Sequence, residues 1–134
     1  MSDNKLEGCI PHELVEFEHL TTLILYRNFG ITGGIPPWIA SMTSLEEMDL
    51  SAMQLGGEVP KELGQLIRLT RLSLGSCGLI GTIPPELGRL RSLEHLALYD
   101  NNMTGSFPRE VLQIPTLRNV NFQNNNFKGD RKHR

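Results

Sequence analysis

The chain has 134 residues, 39% of them apolar, and a formal net charge of −2, the balance of an ordinary globular protein and not of a disordered segment. So even a charge leaves no basic footprint for a nucleic acid, and no apolar run reaches the ~18 to 20 residues of a membrane helix. The opening MSDNKLEGCIPHEL has neither the basic start nor the apolar stretch of a secretion leader, so as written the chain is expected to stay in the cytoplasm.

One spacing runs from end to end. Pro36, Pro60, Pro84 and Pro108 recur in step, as do Leu55, Leu79, Met103 and Phe127, at a period of about 24 residues. Ile31 follows loosely, and Leu6 and Pro11 sit one residue out. The cleanest copy is Leu69 to Leu90. In it Leu72 and Leu74 flank Ser73, an alternation that reads as a short strand. Leu79, Gly81, Ile83 and Pro84 then read as a turn into a second extended piece, and Pro85 to Leu93 recross the back. The expectation is a solenoid, one domain over residues 1–134 with about five repeats from Asn4 to Gly129 and a charged, frayed tail at 130–134.

Taken in chain order, the first residues match Cys77 to Pro84 without the strand that should precede them, and Asn125 to Gly129 stop at the same phase. Stacked turns cover each other's apolar edges, so ends without polar caps point to a piece of a longer array or to association through those ends. His12-Glu13-Leu14-Val15-Glu16 invites a metal reading, but a second histidine would have to stand at Glu16 to share a helical face. In register Glu13 matches Glu62, Glu86 and Glu110, so an exposed back segment is expected. The second turn holds one extra residue between Leu25 and Ile31, so Tyr26 to Gly30 are expected to bulge, with Gly30 supplying a positive φ. Trp38 follows on the back as a solitary packing aromatic. Later turns are regular, Pro115 stiffening the last back segment. Cys9 and Cys77 lie three coils apart, roughly 14 Å at ~4.8 Å per strand, beyond the ~7 Å reach of a disulfide.

The half-repeat Leu79-x-Gly81-x-Ile83-Pro84-Pro85-Glu86-Leu87-Gly88 returns as Leu55-x-Gly57-x-Val59-Pro60-x-Glu62-Leu63-Gly64, and nearly as Met103-x-Gly105-x-Phe107-Pro108. It resembles the plant-type leucine-rich repeat, found in receptor-like kinases, receptor-like proteins and polygalacturonase-inhibitor-like proteins. The resemblance implies an α/β solenoid: a right-handed leucine-rich-repeat superhelix with a concave parallel sheet, a second set of short strands, and a 3-10 or irregular helical back. It also implies a protein- or peptide-binding concave face with no cofactor, and an extracellular address if the chain is part of a receptor-like protein. The paired cysteines that cap secreted members are absent.

Leucines at these positions fill a narrow interior, each worth about 1.5 to 3 kcal/mol when buried. Asn28, Asn101 and Asn125 are expected to turn inward and bond backbone groups of adjacent coils. Cys77 is a small substitute at that phase, whereas Met53 has no proton to donate. A weakened ladder is expected there, and Met53→Asn is expected to strengthen it.

Alternation puts Thr22, Ile24, Tyr26 and Arg27 on the concave face, then Glu47, Asp49, Ser51 and Ala52, then Arg71, Ser73, Gly75 and Ser76. His95, Ala97, Tyr99 and Asp100 follow, then Asn119, Asn121, Gln123 and Asn124. Tyrosine and arginine anchor interfaces, and Glu47, Arg71 and His95 form one column, so the candidate ligand-binding residues are Tyr26, Arg27, Glu47, Asp49, Arg71, His95, Tyr99 and Asp100. No catalysis is expected: Asp49 and Asp100 are about 14 Å apart by strand spacing, against the ~5 to 9.5 Å of glycosidase pairs. No nucleophile elbow, zinc set or phosphate loop is present. Asn102-Met103-Thr104 is a glycosylation sequon, relevant only to a secreted chain. The expected function is a non-catalytic module for a protein or peptide ligand, with a scaffold segment stacking through its ends as the alternative.

Overall fold

The computed structural model describes residues 7–128; Asn4 to Leu6, Gly129 and the charged tail lie outside the described residues. Nine short strands punctuate that span: Glu7–Gly8 (β1), Thr22–Ile24 (β2), Gly30–Ile31 (β3), Glu47–Asp49 (β4), Arg71–Ser73 (β5), Ile80–Gly81 (β6), His95–Ala97 (β7), Asn102–Met103 (β8) and Asn119–Asn121 (β9). The principal sheet is five-stranded and wholly parallel in the order β2-β4-β5-β7-β9. Each strand therefore lies beside the equivalent strand of the next turn, the consequence of a constant period. Two smaller parallel pairs, β1-β3 and β6-β8, form the flank. Between them the flank strand is interrupted at Gly56 and Gly57, both left-handed at φ 69° and 72°.

The back crosses in 3-10 turns at His12–Glu16, Pro37–Ser41, Lys61–Gln65 and Pro85–Arg89, and in one α-helical turn, α1, at Arg109–Leu112. Each follows a proline held between φ −66° and −76°, which the pyrrolidine ring pre-sets, and whose carbonyl accepts the N–H three residues on, as from Leu63 to Pro60. Gly64 and Gly88 are where successive back segments meet: a Cβ on Gly64 would sit 2.3 Å from the Glu86 carbonyl oxygen, and one on Gly88 2.8 Å from that of Glu110.

Between sheet and back lies one apolar core, with Leu25, Leu50, Leu74 and Leu98 fully buried at equivalent positions and Phe122 closing the series. In the last described turn Phe107, Phe122 and Phe127 pack ring on ring, with centroids 4.6 to 5.9 Å apart. Asn101 and Asn125 bond backbone groups of the adjacent coil, as expected. Asn101 Nδ2 donates to Leu74 O and Leu98 O at 3.0 Å while its Oδ1 accepts from the backbone of Cys77 and Leu79. Asn125 repeats the pattern on Leu98 and Met103. The Cys77 thiol, fully buried, substitutes by donating to Leu50 O at 2.9 Å, and burial pushes its pKa up to about 11. At Met53 this ladder passes to the neighbouring turn's own Asn28, whose Nδ2 donates to Leu25 O at 2.7 Å and whose carbonyl accepts from Ile31.

Three details differ from the reading of the sequence. The positive φ of the bulged turn belongs to Arg27 at 64°, not to Gly30, which lies in β3. The same left-handed corner recurs at Ala52, Ser76, Asp100 and Asn124, so it is a property of every turn and not of the insertion. Trp38 is not solitary, since the His12 ring meets it edge-on at 4.9 Å.

Candidate binding face

Along each strand of the principal sheet the middle residue points into the core and its neighbours face outward, as with buried Leu72 between Arg71 and Ser73. The outward residues of β5, β7 and β9 wall a groove of about 710 Å³, with Asp49 at one end and Arg118 and Gln123 at the other. Its spine is the column Arg71, His95, Asn119, which Glu47 continues outside the groove, each the register partner of the next. Arg71 Nε stands 3.9 Å from Glu47 Oε2, an exposed pair worth at most about 1 kcal/mol, which leaves the guanidinium available. His95 Nδ1 and Asn119 Nδ2 are 2.7 Å apart. With the amide nitrogen donating, the ring accepts at Nδ1 and presents its Nε2–H elsewhere.

The candidate carboxylates are engaged locally. Asp49 Oδ1 accepts from the backbone N–H and the hydroxyl of Ser51, at 2.9 and 2.5 Å. Ser51 itself is buried, so it contributes no contact surface, contrary to its place in the alternation. Asp100 Oδ1 accepts from Asn124 Nδ2 at 2.6 Å, with the Ser76 hydroxyl 3.5 Å from Oδ2.

Tyr99 is half-buried, and its ring lies over Gly75: a Cβ there would fall 2.3 Å from the ring's Cζ. The plainest row of the sheet is thus the seat of its most prominent aromatic. Of the eight candidates, the structure brings Asp49, Arg71 and His95 into the groove. Glu47 borders it through Arg71, Tyr99 and Asp100 stand beyond the strand ends, and Tyr26 and Arg27 lie on the turn of β2, at the opposite edge of the sheet from β9. Arg118 also lines the groove, although it precedes its strand, where alternation assigns no face. Its signal was a charge change at one phase, where Glu46, Thr70 and Glu94 give way to arginine. Asn102 is exposed on β8, in the flank sheet.

The Leucine Rich Repeat family profile matches residues 68–90. No curated protein sequence matches the chain. Solved structures do. A chain in the crystal structure of the Arabidopsis receptor kinase HAESA, in complex with the peptide hormone IDA and the co-receptor SERK1, is 38% identical with a TM-score of 0.90, over 95% of this chain and 21% of its own length. A plant ice-binding protein is 30% identical with a TM-score of 0.90, covering 95% and 41%. A chain of the BIR3–SERK2 complex from Arabidopsis thaliana is 32% identical with a TM-score of 0.84, covering 96% and 67%. The chain thus spans about a fifth of the HAESA chain it matches, 21%, and 18% of the matched chain in the crystal structure of PEPR1–AtPEP1. The period, the parallel sheet, the 3-10 back and these likenesses agree: the chain belongs to the plant-type leucine-rich-repeat family.

Proposed function

We propose that this chain is a non-catalytic binding module that receives an extended peptide, or an extended segment of a protein, in the groove around Arg71, His95 and Asn119. The observation that carries the reading is the groove itself, about 710 Å³ on the outer face of the parallel sheet. From β4 to β9 the groove crosses four strands, about 14 Å at ~4.8 Å spacing, enough for roughly four residues of extended chain at ~3.3 Å each. The likeness to structures solved with peptide hormones supports a ligand of this class, and with it an extracellular setting. Among the described residues no helix is long and apolar enough to cross a membrane.

The test is selection of binders from a displayed peptide library on the intact chain, followed by affinity measurement on Arg71→Glu/Tyr99→Ala. The double variant should weaken binding at least tenfold, ~1.4 kcal/mol. Binders that ignore both changes would overturn the groove as the site.

The scaffold reading has one observation in its favour. Phe17 is 58% exposed at the phase where Met42, Leu66 and Leu90 are buried, as though a further layer belonged there. Light scattering separates the two readings: association that depends on Phe17 and is indifferent to Tyr99 favours the scaffold.

A further inference from the structure

Asn102-Met103-Thr104 is the one Asn-x-Ser/Thr sequence in the chain, and both residues that matter to it are exposed. Among the described residues neither the Asn102 amide side chain nor the Thr104 hydroxyl makes a hydrogen bond, whereas their backbone N–H groups are fixed on Leu79 O and Gly81 O at 2.8 Å. The strand is therefore held while the side chain that would carry a modification is free.

The register adds a second observation. Asn102 is paired with Ile80, as Met103 is with Gly81. Met103 points into the core, so Asn102 and Ile80 project together on the outer side of the flank sheet. Ile80 is 50% exposed, and at its phase the other turns carry Thr32, Gly56, Thr104 and Lys128. A branched apolar side chain stands in the open at this one turn, beside the acceptor asparagine. None of the groove-lining residues belongs to β6 or β8.

We propose that Asn102 carries an N-linked glycan whose first sugars lie over Ile80, covering the flank and leaving the concave groove open. This rests on the extracellular reading above, since the donor is a lipid-linked oligosaccharide pyrophosphate of the secretory pathway. Asn102 Nδ2 forms a bond to the anomeric carbon of the donor and the carbon–oxygen bond to pyrophosphate breaks. The lipid pyrophosphate leaves with the electron pair, Nδ2 gives up one proton to base, and nothing is oxidised or reduced. The C–H face of the proximal sugars then removes Ile80 from water, a gain that scales with the apolar area covered.

The experiment directs the full chain through the secretory pathway of a eukaryotic cell behind an added leader. The secreted protein should carry a single glycan removed by peptide-N-glycosidase. The glycan should be absent from Asn102→Gln and Thr104→Ala and retained in Thr104→Ser. Folded, secreted protein without a glycan, or a glycan that persists in Asn102→Gln, overturns the proposal. For its position, Ile80→Cys is alkylated with a bulky maleimide and the modified peptide quantified by mass spectrometry. Labelling should quicken several-fold once the glycan is trimmed away, and an unchanged rate would refute the cover over Ile80. Neither readout depends on the peptide ligand. A chain that is glycosylated but binds no selected peptide sinks the groove reading alone, and one that binds but is never glycosylated sinks this one alone.

Discussion

At Met53 a single side chain decides how two turns are joined. Asn101 and Asn125 each bond backbone groups of the turn before and of their own, and the Cys77 thiol keeps the cross-turn bond to Leu50 O. Met53 cannot, but the groups it leaves are not orphaned, because Asn28 bonds Leu25 O and Ile31 within its own turn. This reverses the expectation drawn from the repeat pattern. An asparagine at position 53 would bury an amide oxygen beside an Ile31 N–H already given to Asn28 O, in place of a methionine only 1% exposed. Met53→Asn should lower stability by about 1 to 3 kcal/mol, read as a fall in the chemical-denaturation midpoint, whereas Met53→Leu should stay within about 1.5 kcal/mol of the native chain. A second residue-scale prediction concerns Gly75. Gly75→Ala should push the Tyr99 ring from its seat at a cost below about 1.5 kcal/mol. It should shift the Tyr99 ring resonances and weaken a groove ligand as far as Tyr99→Ala does. In a Tyr99→Ala background the substitution should be silent, the signature of a pairwise clash. Such a pair is invisible along the chain, because residues 75 and 99 become neighbours only once the turns are stacked.

Among elements, the strands were the most legible and the corners the least. The alternation of Leu72 and Leu74 about Ser73 was enough to place β5, and the period carried it to β2, β4, β7 and β9 in register. The left-handed corner that follows each strand carries Arg27, Ala52, Ser76, Asp100 and Asn124. These residue types share no turn signature, so the sequence pointed to Gly30 instead. On the back, the glycines at 64 and 88 are set by proximity between turns and not by local conformation. Gly64→Ala should therefore cost about 2 kcal/mol or more, since the obstructing atom is the Glu86 backbone carbonyl and cannot swing aside. Gly57→Ala is the matched control. It meets nothing within 4 Å but must hold φ near 72°, a backbone penalty of ~1 to 2 kcal/mol. Thermal melts in which both substitutions cost the same would show that the back segments shift apart freely. Leu112 occupies the same phase as these glycines, in the α-helical turn of α1, which the repeat pattern did not distinguish from its 3-10 counterparts.

For the molecule as a whole, the candidate site was legible by column and not by depth. The sheet face could be listed residue by residue, yet the groove collects on the β5-β7-β9 side, and that depends on how far Arg118 and the amides of Asn119, Asn121 and Gln123 reach. Every bond that joins the principal sheet runs between consecutive turns, since β2 pairs only with β4, β4 with β5, β5 with β7 and β7 with β9. Among the described residues no strand staples distant parts of the chain together. Mechanically the protein is a spool: tension applied along the sequence peels one coil from an end without first breaking the rest, and the next coil is loaded only after its neighbour has left. Loss of a terminal coil is then a graded event for a solenoid of this kind, and a ligand lying across several strands of the groove would act as a splint, raising the force at which the edge coil lets go.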